Sequence, residues 1–490
     1  MYLLTKHADD LAIVFSPSET LRLGETLKID DIVAQVVDIQ FADLPGVLEH
    51  ILRKSLITQT NTEEHLQPEV QSVVDSLTDQ KLAFAKIRGR IVNIKGEDGN
   101  VRPTFKTGLS EFNISRANAD IQLLGQQDLF TSLLLSFPDT CDLCTTLSKD
   151  QRKFDVLVDK LGINLITGMK GSGKSYLAKR LLLKLIDQNI LTVVFDLNAE
   201  YLDLRKTDDG TLNHYAERMV TFTPYLTEES DYDRRLTIPP HEITFDDFAT
   251  FLNVTRDSAM YLYLIQFWRK NSTVEFTLDD LERFVKTRVD NEYARAGLLV
   301  RVEVAQESGL FGPNNVTECI KTMHKTGGAI LFNLADINHW ERTVVVEFIL
   351  RKLVKLGQSR EIEAISLFLE EAQLYVEQQN MIDILTRMRH SGIFPIFITN
   401  TPRTLPDDVY TLLDNLIAFA FRNEDELRHL SRSGLIDQKS INALQHLERR
   451  QCFAVGKISS NYPLFVEVTP QTGALMGGET RELSPQQKHS

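Results

Sequence analysis

Eight residues constrain this chain more than any other stretch: Gly168-Met169-Lys170-Gly171-Ser172-Gly173-Lys174-Ser175. They follow an apolar run, Ile163-Asn164-Leu165-Ile166-Thr167, and lead into an amphipathic helix read from Lys174 to about Gln188. Glycines at these positions let backbone N–H groups approach an anion with no Cβ in the way, and the helix adds its positive N-terminal end. A second apolar run, Leu191-Thr192-Val193-Val194-Phe195, completes a strand–helix–strand unit, which implies a parallel sheet. The pattern is G-x-x-x-x-G-K-[ST]. Lys174 is then expected to reach the β- and γ-phosphates of ATP, and the Ser175 hydroxyl to ligate Mg2+. Gly168 to Ser175, with Tyr176 directly after them, form the expected nucleotide cradle.

The rest of the chain divides around this unit. Residues 1–150 carry short β-branched runs such as Leu11-Ala12-Ile13-Val14-Phe15, Ile32 to Val37 and Ala83 to Val92, bounded by Gly, Pro or Asp. They predict a small N-terminal β-barrel, interrupted by a polar, helical stretch from about Gln59 to Gln80. Residues 151–238 hold the first part of the α/β core. Residues 239–326 read as a helical insertion: Phe245 to Leu252, Arg256 to Lys270, Leu278 to Arg288 and Asn291 to Glu307. The core resumes over 327–470 with the buried-strand runs Ala329 to Leu334, Ala364 to Leu369, Phe394 to Ile398 and Leu416 to Phe421. Residues 471–490 are expected to be a flexible tail.

Composition excludes several classes. No run of about 18 apolar residues suggests a membrane span. The start lacks the apolar stretch and cleavage site of a secretory signal, so a cytoplasmic protein is expected. Four cysteines in 490 residues do not make a disulfide scaffold. Cys141 and Cys144 form one C-x-x-C, but Cys319 and Cys452 stand far away, so the pair lacks the further ligands of a zinc site. A net charge of −14 is unlike a protein that coats DNA with its whole surface, although a basic channel can lie inside an acidic shell.

A second chemical element is Leu369-Glu370-Glu371-Ala372-Gln373, at the end of an apolar run. In phosphoryl transfer one carboxylate serves Mg2+ and a neighbour polarises the attacking water, roles that suit Glu370 and Glu371 respectively. An acidic helix N-terminus is the bland alternative. Ligands bind at the carboxyl ends of strands in open α/β sheets, so Asp196 and Asn400, which close two strands, are expected to face the nucleotide. Asn400 is placed to sense the γ-phosphate; its alternative is an Asx-turn residue before Pro402. Hydrolysis also calls for a cation over developing charge. Of the segment Thr386 to Gly392, Arg389 is favoured, against a reading as ordinary solvated helix charge.

Taken together these residues resemble the HerA ATPases of the FtsK-HerA branch of P-loop motors. Gly168 to Ser175 has the family's form. Asp196 to Glu200-Tyr201 is similar to its D-P-H-G-E-Y element, with Leu197 and Asn198 for Pro and His. Glu370-Glu371-Ala372 resembles its E-E-A-H box, with Gln373 for His. Arg389 to Gly392 resembles its arginine-bearing segment, Thr399 to Pro402 stands where it has S/T-Q-R-P, and Cys452 to Ile458 is similar to its final strand. The resemblance implies a RecA-like core, an N-terminal HAS-barrel, a homo-hexamer with ATP between subunits, and translocation on double-stranded DNA. It also implies a partner, a NurA-like nuclease or a sirtuin-like or other effector used in defence against phage. Asn400 is one methylene shorter than the family's glutamine, and Thr401 lacks its arginine's charge. Where the family can carry an arginine before the loop strand, Gly162 stands here, which leaves Lys160 or Arg422 as candidates for a cation acting on a neighbour's ATP.

Two further readings stay open: an ATP-binding ring scaffold that regulates a partner with little DNA movement, and a DNA-independent protein remodeller. Arg53-Lys54, Lys86 to Lys95 and Lys352 to Arg360 are basic clusters that suit a channel lining or an ordinary solvated face.

Overall fold

The computed structural model describes residues 1–15, 19–41, 81–95, 100–107, 114, 119–137, 142–226, 228–376 and 387–477. The expected helical stretch at 59–80, Arg53-Lys54, Cys141, Thr386 and the tail from 478 lie outside the described residues. The chain forms two compact units. One gathers Met1–Asp155 and Gly434–Thr469, the other Val156–Ser433 and Pro470–Ser490.

In the first unit, seven strands make an antiparallel half-barrel: β1 (Tyr2–His7), β2 (Asp10–Phe15), β3 (Thr26–Ile29), β4 (Ile32–Phe41), β5 (Lys81–Lys95), β6 (Val101–Lys106) and β7 (Ile121–Leu123). Their order is β1-β2-β5-β4-β3-β7, and β6 pairs with the far half of β5. Strand periodicity sets the core. On β5 the alternate residues Ala83, Ala85 and Ile87 turn inward to Leu11, Ile13, Leu27, Ile29 and Val36. Two short strands follow, β8 (Cys144–Thr146) and β9 (Lys153–Phe154).

The second unit is built on a parallel sheet. Its strands are β10 (Asn164–Thr167), β11 (Leu191–Asp196), β12 (Met219–Thr223), β13 (Asp233–Arg235), β14 (Gly328–Asn333), β15 (Ile365–Glu370), β16 (Ile393–Thr399) and β17 (Asn415–Phe419). They lie in the order β13-β12-β14-β11-β15-β16-β10-β17, each neighbouring pair parallel. β10, β11, β14, β15 and β17 are almost wholly buried, as strands covered on both faces must be. Helix α1 (Lys174–Asp187) crosses from β10 to β11 and buries most of its length.

The region between β13 and β14 is helical: α2 (Phe245–Phe251), α3 (Ala259–Asn271), α4 (Leu278–Arg288), α5 (Glu292–Glu307) and α6 (Val316–Thr326). Capping boxes start α2, through Thr244 and Asp247, and α4, through Thr277 and Asp280. Helix α7 (His339–Gln358), also opened by a capping box from Asn338 and Glu341, leads from β14 towards β15.

Two sequence expectations change here. β12 and β13 were not anticipated; β13 is three residues, Asp-Arg-Arg, with no apolar signal. The second core segment, expected over 327–470, divides at 433/434. Residues 434–469 belong to the first unit because β18 (Gln451–Gly456) and β19 (Leu464–Val468) form an antiparallel hairpin whose β19 pairs with β8.

Candidate nucleotide-binding site

β10 ends at Thr167 and the chain turns at once into the glycine loop. Gly168 is needed for close approach: a Cβ there would lie 2.6 Å from the Phe419 Cβ. Gly171 has a φ of +80, a conformation that side chains disfavour. The Met169 N–H donates to the Ala420 carbonyl at 2.9 Å, which ties the loop to the end of β17. Lys174 opens α1, and its ammonium donates to the Met169 carbonyl at 3.0 Å. Burial lowers this ammonium to about 8, against the raising pull of Glu371, Glu370 and Glu200. The loop lysine and the acidic pair therefore share one electrostatic environment, although 196 and 197 positions separate them in sequence (370 − 174 and 371 − 174).

The reason is strand order. β15 and β10 flank β16, and in a parallel sheet all three carboxyl ends open on the same edge. Glu370 is the last residue of β15. Its carboxyl is buried, and burial pushes it up to about 8, with Glu200, Asp196 and Glu371 adding to the rise and the Tyr201 hydroxyl opposing it. Tyr201 donates a short hydrogen bond to Glu370 Oε1.

Glu371 follows in a left-handed conformation, φ +48, that is uncommon for a residue with a side chain. Both its oxygens accept from amides. Asn400 Nδ2 donates to Oε1 at 2.9 Å, and Gln373 Nε2 donates to Oε2 at 2.7 Å. Gln373 is itself oriented by the Thr399 hydroxyl, which donates to its Oε1 at 2.7 Å. The last residue of β16 and the one after it thus hold the second glutamate and its helper.

The edge carries features that a bound metal and triphosphate would satisfy. The Ser172 hydroxyl is buried without a hydrogen-bond partner among the described residues. The acids here are oxygen donors, a donor type suited to Mg2+, and Glu370 among them is buried. No group of three or more acidic, His or Cys ligands forms a closed metal cage among the described residues.

Residues 150–353 match the family model described as "Helicase HerA, central domain". The match covers under half of the chain and is to the HerA central domain. The match supports reading the chain as a P-loop ATPase. Among solved structures, VirB4 of Thermoanaerobacter pseudethanolicus is similar at 16% identity, over 69% of this chain and 98% of that one, with a TM-score of 0.49. The conjugative coupling protein TrwB, in its unbound monoclinic form, is similar at 12% identity over 71% and 93%, with a TM-score of 0.45. The genome packaging NTPase B204 from Sulfolobus turreted icosahedral virus 2, in complex with AMP, is similar at 15% identity over 62% and 96%, with a TM-score of 0.32. No curated protein matches.

Not every expected site residue gathers at the sheet's carboxyl edge. Asp196 ends β11 there but does not face outward. It is buried, and its carboxylate accepts the backbone N–H groups of Asn198, Glu200 and Tyr201. Burial raises this carboxyl above its usual range while those three donors oppose the rise. It organises a turn. Tyr176 lies on the first turn of α1, where its hydroxyl accepts the Gln471 N–H at 2.6 Å.

Arg389 sits on the opposite edge. It precedes β16 in a short 3-10 turn, half exposed, with its guanidinium 3.7 Å from Asp414. Asp414 precedes β17 and accepts the N–H of Ile163, the residue before β10. Arg389, Asp414 and Ile163 therefore mark the amino ends of three adjacent strands. Lys160 lies in the turn before β10, paired with Asp159 at 3.1 Å. Gly162 cannot take a larger residue without rearrangement, because a Cβ would meet Asp414 Oδ2 at 2.0 Å. Arg422 is different: it follows β17 on the loop side and is exposed. Two of the basic clusters are partly committed, Arg88 to Asp437 at 2.6 Å and Lys352 to Glu242 at 2.7 Å.

Sequence reasoning missed Tyr201 and Gln373 as working neighbours of the acidic pair. Gln373 had a signal, its place two residues after Glu371. Tyr201 stood out only as the end of the D-P-H-G-E-Y-like element; its contact was not legible, because its hydroxyl meets a residue 169 positions away.

Proposed function

We propose that this HerA-type ATPase is a motor that translocates double-stranded DNA, works as a homo-hexamer, and serves a nuclease or other effector partner. The observation that carries the reading is the convergence of Lys174, Glu370 and Glu371 on the carboxyl edge of one parallel sheet. Lys174 would leave the Met169 carbonyl to hold the β- and γ-phosphates, with backbone N–H groups of Gly168 to Ser175 around them. Ser175 and Glu370 would hold Mg2+, which neutralises charge on the phosphates when bound. Glu371 would orient the attacking water. Asn400, already on Glu371, would register the γ-phosphate by shifting its amide between the two.

Within one subunit Arg389 lies on the wrong edge to meet the phosphates. In a ring it would serve a neighbouring subunit's ATP, with Lys160 beside it at the same edge; this supports the between-subunit placement of nucleotide. The test is ATP hydrolysis with and without linear duplex, together with the mass of the assembly. Duplex should raise turnover severalfold in a hexamer, and Arg389→Ala subunits mixed with Glu371→Gln subunits should recover activity that neither has alone. Hydrolysis indifferent to duplex, in a ring that activates a partner enzyme, would favour the scaffold reading that the −14 net charge supports.

A further inference from the structure

β11 and β15 are neighbours in register, with Phe195 opposite Leu369, so the next residues, Asp196 and Glu370, end their strands side by side. Two like charges in that position are unfavourable. The local structure resolves this by giving the two carboxylates different partners. Asp196 turns back on its own chain. Its Oδ1 accepts the N–H of Asn198 at 3.3 Å and of Glu200 at 3.0 Å, and its Oδ2 accepts the N–H of Tyr201 at 3.0 Å. Ala199 takes a left-handed conformation, φ +55, inside that turn. The turn carries Tyr201 into the interior, where it is 0% exposed. The Lys179 ammonium stands 5.8 Å from the centre of its ring and 3.7 Å from Glu200. From this fixed seat the phenol reaches Glu370 Oε1.

We propose that Tyr201 is a positioning residue for Glu370: its hydroxyl fixes the plane of the carboxylate on the metal side of the nucleotide, and Asp196 anchors the turn that aims it. The proposal rests on the reading of Glu370 as that metal-side carboxylate. Tyrosine suits the task because its ring is rigid and its single donor stands far from the backbone, so it spans from one strand's turn to the next strand's end. Groups that hold a metal's ligand from behind commonly set its affinity by about tenfold or more.

Tyr201→Phe keeps the ring and removes only the donor. Binding of ATPγS to the full chain is measured by calorimetry, in EDTA and across a Mg2+ series, beside Glu370→Gln and wild type. For wild type, Mg2+ tightens nucleotide binding. Tyr201→Phe should match wild type in EDTA but lose about tenfold of that Mg2+-dependent gain. In hydrolysis its half-saturating Mg2+ should rise by a similar factor, with the KM for ATP at saturating Mg2+ unchanged. A core-filling role alone would move the melting temperature and neither of these. Tyr201→Phe with an unaltered Mg2+-dependent gain, while Glu370→Gln loses it, overturns the proposal and leaves the parent reading standing. A Glu370→Gln that keeps the gain overturns both. Should Tyr201→Phe fail to fold, Asp196→Asn reads the same two quantities through the turn.

Discussion

Two acids, one in each unit, meet opposite fates. In the first unit Asp437 is half-buried against Arg88, whose guanidinium donates to it at 2.6 Å while Ser440 also donates at 2.7 Å. Burial would raise this carboxyl, but Arg88 and Ser440 win and hold it down at about 2. In the second unit Glu370 is buried among Glu200, Asp196 and Glu371, and is pushed up to about 8. One acid has an arginine in direct contact. The other takes its hydrogen bond from the Tyr201 hydroxyl and is crowded by other carboxylates. A buried acid raised in this way is a mark of functional sites.

The contrast is breakable by substitution. Lys174→Ala should lower hydrolysis by about a thousandfold and leave the melting temperature nearly unchanged, because the cost of burying its ammonium offsets its attraction to Glu371, Glu370 and Glu200. Arg88→Met should do the reverse. Breaking this half-buried, hydrogen-bonded pair costs about 2 kcal/mol, read as a lower urea midpoint, with catalysis spared. The pH dependence follows from the depressed carboxyl. The pair's contribution is complete above the ordinary aspartate value and disappears as pH falls towards about 2, and Arg88→Met should flatten that limb of the stability profile. Gln373→Ala comes next: turnover should drop about tenfold with KM for ATP unchanged, since Gln373 touches Glu371 and not the loop.

The smallest effect concerns Glu347 on α7, a third acid and itself buried, which lies beside Asp247 and accepts from Arg351 at 3.0 Å. Burial first, then Asp247, raises its carboxyl well above the ordinary glutamate value. A raised acid favours the folded state at low pH, and stability falls as pH climbs through the window between the ordinary and raised values. Glu347→Gln should therefore melt a few degrees higher than wild type near neutral pH, with the gap closing as pH approaches 4.5. A gap that is constant with pH would show that Arg351 already compensates the charge.

Much of this was legible before the fold. The run Ile163 to Thr167, the glycine loop and the helix after it became β10, loop and α1 almost residue for residue, because apolar period, glycine placement and helix start agree there. The buried runs of β14 to β17 read as plainly. β13 did not, since a charged three-residue strand carries no periodicity and is held by its pairing to β12. Asp196 was misread for a physical reason: a carboxylate at a strand's end either faces a ligand or folds back on the next turn, and only the N–H groups of 198, 200 and 201 decide which. Arg389 taught a sharper lesson. It was favoured as the cation over developing charge, yet a residue just before a parallel strand must sit at its amino end. Strand order alone would have placed it there.

The central claim is that Lys174, Ser175, Glu370 and Glu371 surround one magnesium-bound triphosphate. Calorimetric titration of the purified chain with Mg2+ and ATPγS tests it most directly. One nucleotide should bind per chain, and Lys174→Ala should abolish the heat. A wild-type chain that takes up no nucleotide, or a Lys174→Ala chain that binds it equally well, would contradict the account.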